Sequence, residues 1–152
     1  MLLDYIIPRK TNQWLKTIIF LIIIAVLCLT IFYYLKFEQE KSGHYYIDPN
    51  YDGWLKWGSE KHPYTDISAA FKVIDKRNMA SSNIFLKKGE YAGGIELREN
   101  AKIYGADKKS VVIKGNDLSP ALIMRNNSQI SNVSIIGGSP GISVENQAII
   151  DQ

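Results

Sequence analysis

The sequence predicts an all-β domain in which short parallel strands stack as a solenoid, with one α-helix capping the first coil and one transmembrane helix before it. The main evidence is a phrase that occurs three times: IELRENAKI from Ile95, LIMRNNSQI from Leu122 and ISVENQAII from Ile142. One amphipathic segment and one long apolar run are the other two observations. A unit of about 20–27 residues cannot bury its inward face alone, so units of this kind stack.

The three copies share a register. Apolar residues at the first and third places alternate with polar ones, which sends the apolar side chains to one face of a strand. We therefore expect Leu97, Met124 and Val144 to stack inward, like on like. The sixth place of each copy is predicted to be a bend, because asparagine tolerates the left-handed conformation that a bend needs. The amides at this place are Asn100, Asn127 and Gln147.

Further strands are predicted where short apolar segments stand between glycine turns. No helical period separates these segments, so a βαβ arrangement is excluded. A sandwich or barrel fits the spacing nearly as well, and the repeated register favours a parallel solenoid. The predicted strands cover residues 45–47, 84–86, 95–97, 102–104, 111–113, 122–124, 130–136 and 142–144.

One soluble helix is predicted before these strands. Its apolar residues fall on one face at helical spacing, and they are Ile67, Ala70, Phe71 and Ile74. Thr65 or Asp66 can accept from the free N–H groups at its start, and Asn78 is a plausible stop. A single amphipathic helix must bury its apolar stripe, and the strands that follow are the only surface for it.

An uncharged apolar run over residues 17–35 predicts a transmembrane signal anchor that contacts the lipid bilayer. At about 1.5 Å per residue a helix of this length spans about 28 Å, close to the hydrocarbon thickness of a bilayer. A cleavable signal peptide is the alternative, but its apolar region is shorter and ends in small residues. Three basic residues precede the run and two follow it, which favours a cytoplasmic N-terminus and an extracytoplasmic C-terminal domain.

The chain divides accordingly into four parts. We expect a cytoplasmic tail over residues 1–16, the anchor over 17–35, a polar stalk over 36–44, and the β domain over 45–152. Within that domain residues 45–82 form the cap and residues 83–152 the coils.

The charge and cysteine content exclude some classes of function. The formal net charge is +3, and most of the excess positive charge precedes the anchor. The rest of the chain has no dense basic stripe of the kind that binds nucleic acid. The single cysteine, Cys28, lies inside the apolar run, so no disulfide is predicted.

Four segments resemble the N-terminal part of the right-handed parallel β-helix proteins of the pectate-lyase-like superfamily. They read YYIDPNYDG, HPYTDISAAFKVI, IFLKKGEYAGGIEL and IYG, in that order from Tyr45. Pro63, Tyr64, Ile67 and Ala70 stand at the positions of the family's P-F-x-x-I-x-x-A cap helix. Lys88 replaces the proline of the family's P-G-x-Y turn. The resemblance covers about residues 45–150 and implies a right-handed parallel β-helix with an N-terminal capping helix.

The resemblance is more specific for fold than for chemistry, because enzymes and non-enzymes share this entry. For an enzyme it implies a polysaccharide lyase or glycoside hydrolase, with Ca²⁺ as a cofactor and an active site on coils after residue 152. The last coil reaches Gln152 without a C-terminal cap. We therefore expect the chain to be a fragment of a longer protein, and no catalytic residue is assigned.

Three sets of side chains are candidates for a site. Tyr51, Trp54 and Trp57 belong to the densest aromatic cluster, and aromatic rings stack on sugars, so we predict that they bind substrate, although packing under the cap is the more common role of such residues. Glu96 and Glu145 are the candidates for one outer face of carboxylates, although solvated surface charge is the more common role of such residues. Lysines that can attract an acidic glycan are Lys87, Lys88, Lys102, Lys108 and Lys109.

No metal site or common catalytic motif is found in the sequence. The function predicted is that of a membrane-tethered domain that binds or processes polysaccharide. The alternative is a non-catalytic structural or adhesion module that acts through protein contacts.

Overall fold

The computed structural model describes residues 13–145 and 147–151. Contacts between residues divide the chain into two units, with the boundary after Glu38. The first unit is dominated by helix α1 (Gln13–Lys41), which has 29 residues. Its most apolar stretch has a mean hydropathy of 2.9, and none of its residues is buried. The helix is therefore long and apolar enough to cross a membrane.

The boundaries of α1 bear on two of the predicted parts. The helix contains the whole predicted anchor and continues through the start of the predicted stalk to Lys41, and the first strand begins at His44. The predicted cytoplasmic tail lies mostly outside the described residues.

The second unit contains eleven short strands among the described residues. They are β1 (His44–Ile47), β2 (Ser82–Leu86), β3 (Gly89–Ala92), β4 (Ile95–Glu96), β5 (Ala101–Gly105), β6 (Val111–Lys114), β7 (Leu122–Met124), β8 (Gln129–Ser131), β9 (Ser134–Ile136), β10 (Ile142–Val144) and β11 (Ile149–Asp151). Every pairing is parallel. The sheets have the strand orders β1-β2-β5-β8-β11, β3-β6-β9 and β4-β7-β10.

The predicted fold class, an all-β right-handed parallel β-helix, is wrong. The strands form three separate small parallel sheets, and within the described residues they do not form a closed solenoid. The strands are only two to five residues long. Turns with positive φ, as at Gly94 and Asn132, interrupt the backbone between one sheet and the next.

The register of the repeated phrase is nevertheless visible in the third sheet. Ile95 and Ile142 both pair with Leu122, and Met124 pairs with Val144. The predicted bend is confirmed, because Asn100, Asn127 and Gln147 have φ values of 57°, 56° and 65°. The backbone N–H of Asn100 donates to the backbone carbonyl of Asn126 in the next copy (3.1 Å).

The predicted inward packing of the three copies is correct for two of them. Leu97 and Met124 are fully buried, whereas Val144 is 50% exposed. Val144 belongs to β10, the outer strand of its sheet, which has a neighbour on one side only. Without a second neighbour, an inward-facing side chain keeps half of its surface in contact with solvent.

Helix α2 (Ile67–Arg77) forms as predicted. Asp66 caps its start by accepting from the Ser68 amide (2.9 Å), and Asn78 ends it in the left-handed conformation. The four residues predicted for the buried face, Ile67, Ala70, Phe71 and Ile74, are all buried. They share one hydrophobic core with the inward residues of β1 and β2. The helix therefore buries the apolar interior beside the first strands of the domain.

The left-handed bend at Asn127 provides a test of the repeat. Asn127→Ala is expected to lower the free energy of unfolding by about 1 kcal/mol, because alanine is strained at positive φ. Asn127→Gly should be tolerated, and Asn126→Ala serves as the control because its φ is not positive. Thermal unfolding of the full chain in detergent measures the difference. Equal melting temperatures for the alanine variants at 126 and 127 would contradict the assigned bend.

Candidate functional site

The segment between β1 and α2 carries the aromatic residues that were predicted to bind substrate. We call residues 48–62 the aromatic loop. His62, the last residue of this loop, contacts two of its aromatic side chains. The Tyr51 hydroxyl hydrogen-bonds with His62 Nδ1 (2.9 Å), and the Trp57 ring packs edge to face on the imidazole, with 5.2 Å between the ring centres. The structure thus brings two of the three predicted residues, Tyr51 and Trp57, against one histidine.

Backbone hydrogen bonds fix the shape of the aromatic loop. The amides of Trp57 and Gly58 both donate to the His62 carbonyl (3.1 and 3.0 Å), and the Tyr46 amide of β1 donates to the Gly58 carbonyl (2.9 Å). Gly58 has a φ of 82°, and a Cβ here would lie 2.5 Å from the Tyr64 ring. Only glycine satisfies both conditions, so the loop is anchored where it turns.

Trp54 is the third predicted residue and stands apart from the cluster. Its side chain is 88% exposed, whereas Tyr51 and Trp57 are half-buried. Tyr51 and Trp57 are held by their contacts with His62, whereas the indole of Trp54 faces solvent. An exposed indole is able to stack on an apolar or sugar face.

The other tyrosines near this loop have structural roles. Tyr45 is fully buried and its hydroxyl donates to the Glu40 carbonyl (2.7 Å). Burial raises the pKa of Tyr64 to about 12, and burial likewise raises the pKa of Tyr45 and of Tyr91. These phenols therefore stay protonated near neutral pH, and the Tyr91 hydroxyl donates to the backbone carbonyls of Ile47 and Lys87.

A column of stacked rings crosses the largest sheet. Phe85 of β2 stacks with Tyr46 of β1 at 4.9 Å and with Tyr104 of β5 at 5.4 Å. These residues are in-register partners on adjacent strands. Rings stacked face to face cover each other's faces, so this column is better suited to stabilising the sheet than to receiving a sugar.

A groove of about 670 Å³ lies between α2 and the strands β3 and β4. We call it the helix–strand groove. It is lined on the strand side by residues 90–96 and Arg98, and on the helix side by residues 65–68, Phe71, Lys72 and Asp75. The sequence reasoning missed it. Its walls come from segments more than ten residues apart. The sequence also predicts a turn where the structure has β3.

Arg98 joins the two walls of the helix–strand groove. Its guanidinium donates to both carboxylate oxygens of Asp75 (2.8 and 2.7 Å) and lies 5.2 Å from the centre of the Phe71 ring. Arg98 also donates a hydrogen bond to the backbone carbonyl of Glu96 (3.1 Å). The hydrogen bonds from Arg98 lower the pKa of Asp75 below its ordinary value of 3.8, and the same bonds raise the pKa of Arg98.

The two carboxylates that were candidates for one outer face are separated by a cation. Arg125 donates to Glu96 through Nε (2.9 Å) and also pairs with Glu145. Glu96 is in register with Ile123, and Glu145 follows the strand residue Val144. Both acids therefore contact the same arginine, and Arg125 lies between them.

The described residues do not support the calcium site that the family resemblance implies. Within residues 13–145 and 147–151, no group of three or more His, Cys, Asp and Glu side chains is placed to hold a metal ion. Calcium needs several oxygen ligands converging at about 2.3–2.6 Å. Three of the carboxylates that line the helix–strand groove, Asp75, Glu90 and Glu96, are instead paired with Arg98, Lys114 and Arg125.

The five predicted lysines are spread over different elements. Lys87 donates to the Glu60 carbonyl (3.3 Å). Lys88 follows β2, Lys102 lies in β5, and Lys108 and Lys109 precede β6. The four residues Lys88, Lys102, Lys108 and Lys109 are exposed.

Comparison with known proteins identifies no relative: no family model, no curated protein and no solved structure matches the chain.

The Asp75–Arg98 pair predicts a dependence of stability on pH. The folded-state pKa of Asp75 is depressed, so the pair stabilises the fold above about pH 4, and this contribution is lost as the pH falls through the lower folded pKa. Arg98→Gln should therefore unfold more easily than wild type at pH 7, by less than about 1 kcal/mol because the pair is exposed. The difference should shrink as the pH falls below about 4.

Arg98→Lys is the matched control for this prediction. It keeps the charge but loses the two-pronged contact. Unfolding midpoints measured by circular dichroism between pH 3 and pH 7 provide the comparison. A gap between wild type and Arg98→Gln that is constant over this range would contradict the assigned role of Asp75.

Proposed function

We propose that this chain is a membrane-tethered, extracytoplasmic module that binds polysaccharide through the aromatic loop. The observation that carries the proposal is Trp54, which is 88% exposed while the neighbouring aromatic residues Tyr51 and Trp57 pack on His62. An indole left in water forgoes about 1.5–3 kcal/mol of the stabilisation that burial of a large apolar side chain provides. A ligand that covers the ring recovers part of this free energy.

Several properties of the aromatic loop suit a sugar ligand. A sugar ring has one apolar face and a rim of hydroxyls, so it needs a flat ring beside polar groups. Trp54 provides the flat ring. Polar side chains of the same loop, Asp52, Lys56 and Glu60, are also exposed. Because Tyr51 and Trp57 are already packed, binding at Trp54 does not require the loop to reorganise.

Tethering to a membrane is supported by helix α1, which has the length and apolar composition of a single membrane span. The excess of basic residues before the apolar run supports a cytoplasmic N-terminus, with the second unit on the opposite side of the bilayer. Polysaccharides are abundant outside the cytoplasm.

Trp54→Ala tests the proposal with little risk to the fold, because the side chain is almost fully exposed and such changes usually alter stability by no more than about 0.5 kcal/mol. The full chain in lipid nanodiscs is applied to an array of plant and bacterial polysaccharides. We expect wild type to bind at least one glycan, and Trp54→Ala to bind it at least about tenfold more weakly, a loss of about 1.4 kcal/mol.

The matched control is Leu118→Ala, which also removes an exposed apolar side chain (92% exposed) from a different loop. It should bind like wild type. The proposal is wrong if wild type binds no glycan on the array, or if Trp54→Ala and Leu118→Ala bind equally well.

A further inference from the structure

Within the aromatic loop, the segment over residues 51–57 is held at both of its ends. At the first end the Tyr51 hydroxyl hydrogen-bonds with His62 Nδ1 (2.9 Å). At the second end the backbone N–H of Trp57 donates to the His62 carbonyl (3.1 Å). Both ends therefore contact the same histidine, and Trp54 is the middle residue between them.

The middle of this segment is not held by hydrogen bonds. Within the described part of the chain, no hydrogen bond reaches the main chain of residues 52–56. Exposure alternates along the segment: Asp52, Trp54 and Lys56 are exposed, whereas the residues between them are partly buried. The segment thus has a covered side and a solvent side, and contacts on the covered side determine where Trp54 lies.

The Tyr51 side chain packs directly against Gly53, the residue before Trp54. A Cβ built on Gly53 would overlap the Cζ carbon and the hydroxyl oxygen of Tyr51, and its three nearest atoms all belong to that side chain. The φ of Gly53 is not positive, so the backbone conformation does not require glycine here. The missing side chain instead leaves the space in which the Tyr51 ring lies against the main chain.

The far end of the Tyr51 ring is held by His62, which is itself held within the loop. The backbone N–H of His62 donates to Ser59 Oγ (3.1 Å), which also accepts from Trp57 Nε1 (2.9 Å). The imidazole packs edge to face with the Trp57 ring. A series of contacts therefore leads from His62 through the Tyr51 ring to the main chain at Gly53.

We propose that Tyr51 and His62 are positioning residues for Trp54. His62 holds the Tyr51 hydroxyl, and the Tyr51 ring supports the main chain at Gly53, from which the next residue projects its indole. A backbone that is already ordered loses less conformational entropy when a ligand covers the indole. This inference rests on the proposed function, because it assumes that Trp54 contacts the ligand. It gives Tyr51 a supporting role in place of the direct substrate contact that the sequence predicts.

Two variants interrupt this series of contacts at different points. Gly53→Ala adds a methyl group that displaces the end of the flexible Tyr51 side chain, and alanine is not strained where φ is not positive. His62→Phe removes the hydrogen bond to Tyr51 and keeps a ring beside Trp57. Gly141→Ala is the matched control, because its φ is not positive either and its added Cβ would lie 3.7 Å from the nearest atom outside the adjacent residues.

Backbone NMR relaxation of the ligand-free full chain in detergent micelles measures whether Trp54 is held. An order parameter of about 0.85 indicates a rigid amide, and a value below about 0.6 indicates a flexible one. We expect a rigid Trp54 amide in wild type and in Gly141→Ala, and a flexible one in Gly53→Ala and His62→Phe. The amides of β5 should stay rigid in every chain, which shows that the variants are folded.

Glycan binding by the same chains in nanodiscs completes the test. Gly53→Ala and His62→Phe should bind the glycan that wild type binds at least about fivefold more weakly, because binding must then order the segment. Gly141→Ala should bind it as wild type does.

The positioning role is overturned if the Trp54 amide is flexible in wild type, if it is equally rigid in wild type and both variants, or if both variants bind glycan as tightly as wild type. A wild type that binds no glycan contradicts the proposed function instead. In that case the order parameters by themselves decide whether Tyr51 and His62 position Trp54.

Discussion

The structure depends on columns of aliphatic side chains that stack between parallel strands in register. Ile84, Ile103 and Ile130 form one such column in the largest sheet, and each is at most 1% exposed. Strands of two to five residues are too short to be stable alone, because a few ladder hydrogen bonds do not offset the entropy of ordering them. In a column, each aliphatic side chain is buried by the side chains of the neighbouring strands. Each strand is therefore stable only when its neighbours are also folded.

The same constraint explains where the candidate sites lie. Most inward positions hold aliphatic residues, with Tyr45 and Tyr91 as buried exceptions, so the side chains of the candidate sites lie on outward positions or in loops. The aromatic loop leaves the first strand and is held by Gly58 and His62 rather than by the core. The helix–strand groove exists because α2 supplies apolar side chains to the core beside two edges whose backbone it does not pair with. The aromatic loop thus exposes the indole of Trp54, whereas the helix–strand groove is a cleft between α2 and the strands β3 and β4.

Local patterns in the sequence predicted local structure well. The face of α2, its cap at Asp66 and its end at Asn78 follow from residue types with strong positional preferences. The left-handed amides follow from the repeat itself. The strands at Gly89–Ala92 and Ile149–Asp151 were missed, and the predicted strand over 130–136 is divided into β8 and β9 by the left-handed Asn132. The strand at Gly89–Ala92 begins with a glycine that is typical of a turn, and a strand of three or four residues is too short to show a clear alternation.

The larger errors concern relations between elements. Periodicity predicts which residues share a face, but not whether successive strands close into one solenoid or form separate sheets. The aromatic cluster was recognised by composition, yet only the structure separates Tyr51 and Trp57, which pack on His62, from the exposed Trp54. The groove between α2 and β3 was not predictable from spacing, because its opposite walls are distant in the sequence.

Hydrogen exchange of the full chain, followed amide by amide by NMR, tests the central claim that in-register columns hold the sheets together. Strands β5, β6 and β7 have neighbours on both sides, whereas β9, β10 and β11 are outer strands. The columns predict that amides of β5–β7 exchange at least about tenfold more slowly than those of β9–β11, since their opening exposes more buried surface. Equal rates across all six strands, or faster exchange in β5–β7, would contradict it.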